Sequence, residues 1–272
     1  MQTGSISYNA SRIHYLRWGQ GEKVLVCLHG YGESAGSFAL LEPVLGEAFT
    51  IVALDMPWHG ETEWKEGLYM APAVLVEIVK EIVAKEGLGR RWVLMGYSMG
   101  GRIALSLLQH APEQISGLVL LAPDGMKVNP WYWLATQTVM GNRLFRYTME
   151  HPRWFMKMLK IGNALRIVNK SVFKFTSHYI GDREIRHALY TRWTTMRGFR
   201  PHLHRVQENV RSQGLQVRIL YGRYDRIITP PAGEKFCRGL DGHCRVDILS
   251  CGHRLLERHN LSAIAAAVGD SC

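Results

Sequence analysis

The sequence predicts an α/β fold: a mostly parallel, doubly wound sheet interrupted by one inserted helical segment. Three observations predict it. Short continuous apolar runs rich in β-branched residues alternate with helix-like patterns. That rhythm stops between Met126 and Gln213 and then resumes. Glycine-flanked serine and histidine residues stand where the runs end. With 272 residues, 47% of them hydrophobic and 21% charged, the chain suits one α/β domain carrying an insertion.

Ser5 to Trp18 alternates as a hairpin does, with Asn9-Ala10-Ser11 as its turn. Six apolar runs follow: Lys23–Leu28, Thr50–Leu54, Trp92–Met95, Leu118–Leu121, Val217–Leu220 and Val246–Leu249. Most are continuous, as expected of strands covered on both faces. Between the second and third, Pro72–Lys85 sets Val74, Leu75, Ile78, Val79, Ile82 and Val83 at helical spacing, opposite Glu77, Lys80, Glu81 and Lys85. Strands alternating with helices imply right-handed crossovers and a doubly wound sheet.

The segment 126–213 has no such strand and is rich in Trp, Phe, Met and Arg at helix-like spacing. It is expected to be a helical cap over the C-terminal edge of the sheet, where open α/β folds place their sites. The core is then 1–125 with 214–272. The chain carries a net charge of +10, and this segment alone holds 16 Lys or Arg against 4 Asp or Glu. Two readings of that charge stand. Either the cations are solvated while Trp131, Trp133, Trp154, Phe155 and Trp193 form an inner apolar surface, or several cations favour an acidic substrate or an anionic lipid surface. Nucleic-acid binding is not expected, because no known nucleic-acid module is visible.

No apolar run approaches the roughly 20 residues of a membrane-spanning helix. Met1 to Tyr15 lacks a cationic start followed by an apolar stretch, so a cytoplasmic protein is expected. The five cysteines are odd in number and scattered, which suits free thiols in a reducing compartment rather than a disulfide framework. Cys237, Cys244 and Cys251, with His243 and His253 nearby, match no spacing of zinc ligands, and no metal is expected.

Gly96-Tyr97-Ser98-Met99-Gly100 is a G-x-S-x-G motif. It follows a strand run and opens an apolar helical pattern (Ile103, Ala104, Leu107, Leu108), the strand-turn-helix setting of a nucleophilic serine. The helix N-terminus beneath it favours developing negative charge. His29-Gly30-Tyr31-Gly32 ends an earlier strand, so the backbone amides of Tyr31 and Met99 are the expected oxyanion hole, with His29 holding the loop. Asp225 and His253 each follow a later strand, on the same sheet edge as Ser98 and in the chain order Ser, Asp, His. In that arrangement the histidine accepts the serine proton and the acid fixes its tautomer. Asp124, after the Leu118 strand, is a rival acid.

Together, His29-Gly30, Asp55-Met-Pro-Trp-His-Gly60, the serine turn, Asp225 and His253 resemble the α/β-hydrolase superfamily over nearly the whole chain outside the cap. The resemblance implies a serine hydrolase acting on an ester-type small molecule, without a cofactor, with His59 as a brace. A serine rather than an aspartate at the turn argues against dehalogenase and epoxide-hydrolase chemistry. Gly96-Tyr-Ser-Met-Gly-Gly-Arg102, extended by Ile103-Ala-Leu105 and Gly252-His253, also resembles the succinyl-hydroxycyclohexadiene-carboxylate synthase of menaquinone biosynthesis. That likeness implies a lyase, or more broadly carbon–carbon bond chemistry, on an anionic substrate gripped by arginine. It makes Arg102 a candidate substrate residue, beside Tyr97, Trp154 and Trp193. A non-catalytic ligand receptor on the same scaffold is the remaining class.

Overall fold

The computed structural model describes residues 1–127, 129–164, 180–240 and 242–271. Asn9, with a left-handed φ of 49°, closes β1 (Gln2–Tyr8) onto β2 (Ser11–Trp18) so that Tyr8 faces Ser11. Asparagine tolerates that conformation better than most residues, and the turn falls where the sequence places it. The chain continues through β3 (Lys23–Leu28), α1 (Glu42–Leu45), β4 (Phe49–Leu54), α2 (Pro72–Lys85), β5 (Trp92–Tyr97), α3 (Met99–His110) and β6 (Ile115–Leu121). After β6 come α4 (Pro130–Gln137), α5 (Val139–Glu150), α6 (Arg153–Ala164) and α7 (Arg183–Thr195). The last elements are α8 (Leu203–Gln213), β7 (Gln216–Gly222), α9 (Pro231–Cys237), β8 (Cys244–Leu249) and α10 (Leu261–Gly269).

The sheet has eight strands in the order β1-β2-β4-β3-β5-β6-β7-β8. The β1–β2 and β2–β4 pairs are antiparallel and the rest are parallel. From β3 the chain moves outward to β4, then crosses back over β3 to β5. The winding therefore reverses at β3, and the C-terminal ends of β3 and β5 meet there, with Leu28 opposite Gly96. Open α/β sheets bind ligands at such a reversal.

Every residue of β4 and β5 is buried, as continuous apolar runs require. On α2 the buried residues include Leu75, Ile78, Val79, Ile82 and Val83 from the face read from the spacing, while Val74 is half-buried. Val76 is buried as well, which widens that face. All ten residues from Met99 to Leu108 are buried, because α3 lies against the sheet with α2 and α8 beside it. The strand at Val246–Leu249 departs from expectation. As the edge strand β8, it mixes half-buried with exposed residues, and Ile248 is 45% exposed.

Contacts divide the chain into two compact units, Met1–Glu66, Met70–Lys127 and Gly198–Cys272 in one, Gly67–Tyr69 and Val128–Arg197 in the other. The inserted segment read as 126–213 therefore differs at its end, because α8 belongs to the first unit. Val206 and Val210 are buried there, and Asn209 Nδ2 donates to the Leu108 and Gln109 carbonyls at the end of α3. Gly214 then terminates α8 with a φ of 62°, a left-handed cap that glycine accepts without strain.

In the second unit, Tyr132, Phe145, Tyr190 and Trp193 form an aromatic cluster, with ring centroids 5.1 Å apart for Tyr132–Trp193 and 5.5 Å for Phe145–Tyr190. The expected inner surface of five aromatic residues is only partly realised. Trp154, Phe155 and Trp193 are half-buried, but Trp131 is 76% exposed and Trp133 is exposed too. The cap on α4 explains this. Asn129 Oδ1 accepts from the Trp131 and Tyr132 amides, and in that register Tyr132 is the ring that meets Trp193.

The cysteines also correct the reading of free thiols. Cys237, at the end of α9, and Cys244, at the start of β8, form a disulfide with their Cα atoms 5.1 Å apart. The bond joins two residues whose sequence spacing gives no sign of pairing. Such bonds persist in oxidising rather than reducing compartments. Cys27 and Cys251 are free and buried, while Cys272 lies outside the described residues. Among the described residues, no helix is long and apolar enough to cross a membrane, and no three His, Cys, Asp or Glu side chains are grouped to hold a metal ion.

Candidate active site

Ser98 sits between β5 and α3 with φ 51° and ψ −113°, a strained conformation for a residue with a side chain. Its surroundings hold it there. The Ser98 amide donates to Leu121, and its carbonyl accepts from the Gly101 and Asp124 amides. The flanking glycines are required by space. A Cβ at Gly96 would collide with the backbone of Gly100 and Gly101, and one at Gly100 with the Leu28 carbonyl. The G-x-S-x-G spacing is thus the imprint of a helix pressed against two strand ends.

His253 Nδ1 lies 2.7 Å from Asp225 Oδ2, and His253 Nε2 lies 3.1 Å from Ser98 Oγ. With Nδ1–H donating to the carboxylate, Nε2 is left to accept from the serine hydroxyl. The Asp225 side chain is fully buried, and its other oxygen accepts from the Ile227 and Ile228 amides at 2.7 and 3.0 Å. Three donors therefore meet one carboxylate. The loops after β7 and β8 are tied together by the Arg223 amide on Leu249 and the Tyr224 amide on Cys251. Gly222 permits this, because a Cβ there would strike the Gly252 carbonyl. Asp124, the rival acid, instead accepts from the Gly125 amide and faces Arg102.

Behind the histidine stands Tyr97. Its ring lies 5.6 Å from the His253 ring, and its hydroxyl donates to the His253 carbonyl at 3.1 Å. Burial pushes this phenol well above its ordinary pKa, so it remains a donor. Tyr97, a candidate for substrate contact, thus braces His253 through its hydroxyl and also lines the cleft beside Glu33. Arg102 is only 7% exposed, with Nη1 3.3 Å from Asp124 Oδ2, and its stem packs under Gly125, which has a φ of 92°. Trp154 and Trp193 lie in the second unit, described above.

The loop after β3 approaches the serine from the other side. A Cβ built on Gly30 would fall 3.5 Å from Ser98 Cβ, so the Gly30–Tyr31 peptide starts beside the hydroxyl-bearing residue. His29 anchors this loop. Its Nδ1 donates to the Gly30 carbonyl at 2.7 Å, while Nε2 accepts from the Met56 amide at 3.0 Å. The His59 ring packs 4.9 Å from His29 and edge-on to Tyr31. Asp55, buried below, accepts from His14 Nδ1 and from the Ala35 and Glu61 amides, which fixes the loop after β4.

Two participants carried no motif. Asn260 donates from Nδ2 to the Leu255 carbonyl and braces the segment after His253. Glu33 lines a cleft of about 260 Å³ with Ser37, Leu40, Tyr97, Arg254 and Glu257. Its Oε2 is buried without a hydrogen-bond partner. Burial lifts the Glu33 carboxyl above its ordinary value, opposed by the Ser37 hydroxyl and the Arg254 charge. A raised folded-state pKa adds stability that is fully present below the unfolded value and is lost as pH rises through the folded one. Glu33→Gln is therefore expected to raise the thermal midpoint at neutral pH, by about 2–4 °C per kcal/mol relieved. The gain should fade in scans run below the ordinary carboxylate range. An equal gain at every pH would contradict the assignment.

A family model described as serine aminopeptidase, S33, matches residues 19–257. The chain is 27% identical to the uncharacterized hydrolase YugF of Bacillus subtilis over 87% of its own length and 85% of the relative's. It is 22% identical to a 2-hydroxy-6-oxononadienedioate/2-hydroxy-6-oxononatrienedioate hydrolase of Pseudomonas putida, covering 93% of this chain and 88% of that one. Among solved structures, a thermophilic esterase from Thermogutta terrifontis superposes with a TM-score of 0.68 at 18% identity, covering 99% of this chain and 97% of the esterase. At that identity the likeness speaks for the fold alone.

Proposed function

The chain belongs to the family described as serine aminopeptidase, S33, within the α/β-hydrolase superfamily, and from that premise we propose a serine hydrolase of ester-type small-molecule substrates with Ser98 as nucleophile. The family name does not fix the substrate, since fold and family host many chemistries. The observation that carries the reading is the continuous hydrogen-bonded series Asp225–His253–Ser98 on a strained turn. Ser98 Oγ attacks the substrate carbonyl while His253 Nε2 takes its proton. Asp225 holds the tautomer and stabilises the imidazolium. The amides of Met99, at the start of α3, and of Tyr31, beside Gly30, receive the oxyanion. His253 then protonates the leaving group, and the acyl-enzyme is released by a water that His253 activates. No step requires a cofactor.

Chromogenic esters of graded acyl length test it: multiple turnover of at least one acyl length is expected. A single turnover that then stalls would favour a ligand receptor, and no reaction with any ester would remove the esterase reading. Carbon–carbon bond hydrolysis is the second reading. It is favoured by the near full-length match to the Pseudomonas putida hydrolase, and a vinylogous diketone substrate belongs in the same panel.

The lyase reading needs Arg102 on the substrate, and the Arg102–Asp124 pair argues for a structural role instead. Arg102→Ala is expected to cost roughly 1–2 kcal/mol of stability, discounted from a fully buried pair because Asp124 is partly solvated. KM for a neutral ester should not change. A rise in KM confined to carboxylate-bearing substrates would return Arg102 to the site.

A further inference from the structure

We propose that the second unit docks on anionic lipid bilayers through exposed faces of α5 and α6. On α5, Met140, Leu144 and Tyr147 recur at i, i+4 and i+7, and all three are exposed, Met140 to 83%. Arg143 lies on the same arc and is exposed. On α6 the same spacing places Arg153, Lys157 and Lys160 in one exposed stripe. Ile161, 60% exposed, and Met158 flank that stripe, while Leu159 is buried on the opposite side. A helix that buries one face and exposes both aliphatic side chains and a line of cations has the pattern of an interfacial helix. The aliphatic groups enter the acyl boundary, and the lysine and arginine heads remain among the phosphates.

Charge decides between occupants. Residues 128–197 hold 12 Lys or Arg against 3 Asp or Glu. Of the three acids, Glu150 is paired with Arg146, and Asp182 caps α7. A second copy of this chain would set two such cationic units against each other. Nucleic acid would use the cations and aromatic rings but has no use for exposed Met140, Leu144, Met158 and Ile161. An anionic bilayer uses both kinds of group.

The test is flotation of the full chain with vesicles of phosphatidylcholine, with and without phosphatidylglycerol, across a salt series. Binding is expected only where phosphatidylglycerol is present, weakening as salt screens the charges. Lys157→Gln with Lys160→Gln, and separately Met140→Ser with Leu144→Ser, are each expected to weaken partitioning on the order of tenfold. These positions are exposed, and circular dichroism with the thermal midpoint checks the fold. If a variant fails to fold, the lipid and salt dependence of the wild type still decides. Equal binding to both vesicle types, no binding at all, or variants that bind as wild type would overturn the proposal. So would a dimer in sedimentation velocity that Met140→Ser with Leu144→Ser dissolves. None of these readouts depends on turnover, so the docking proposal and the hydrolase reading fail separately.

Discussion

Ser98→Ala is expected to lower turnover by roughly 10³–10⁶-fold while leaving the fold intact. The loss is large because no neighbouring group replaces the attacking oxygen. What remains is catalysis by the oxyanion amides and by binding alone. The fold survives because the turn is held by backbone groups, the Ser98 amide on Leu121 and the Ser98 carbonyl with Gly101 and Asp124, all of which alanine retains. His253→Ala should be comparably damaging, since the residues act as a unit. Initial rates on the best ester, with circular dichroism on both variants, make the measurement. A Ser98→Ala enzyme that kept most of its activity would place the chemistry elsewhere.

Asp225→Asn is expected to cost about 10⁴-fold in turnover with little change in stability. The amide side chain is nearly isosteric. It still accepts from the Ile227 and Ile228 amides, and its NH₂ then meets His253 Nδ1. The ring must turn its lone pair toward that donor and its proton toward Ser98, which is the wrong tautomer for taking a proton from the serine. Asp124→Asn should be mild by comparison, because Asp124 meets Arg102 and the Gly125 amide rather than the histidine. The reverse ranking would transfer the acid to the loop after β6.

Features imposed by local backbone demands were legible from the residues. Gly96 and Gly100 announce the turn because only glycine fits where α3 meets β3 and β5. Asn9 announces the hairpin, and the α2 spacing announces its buried face. The three polar residues singled out at strand ends are those the structure brings within hydrogen-bond distance. Features that depend on non-local neighbours were not legible. Val246–Leu249 carries Asp247 among its apolar residues, but its place at the edge of the sheet follows from the strand order. The bond from the Tyr97 hydroxyl to a carbonyl 156 residues away has no local sequence signal. The Arg102–Asp124 pair joins α3 to a different loop, and nothing in the spacing announces it. The Cys237–Cys244 pair depends on a Cα separation that spacing does not encode. The boundary at Arg197 depends on α8 packing against α3, which the cationic composition of the whole segment hid.

The central claim is that Ser98 is a nucleophile activated by His253. Treating the folded protein with a fluorophosphonate and locating the adduct by peptide mass spectrometry tests it most directly, because the probe requires an activated serine but no knowledge of the substrate. The account predicts one adduct, on Ser98, absent from Ser98→Ala and formed far more slowly in His253→Ala. An adduct on another residue, or a folded wild-type protein that stays unlabelled, would contradict it.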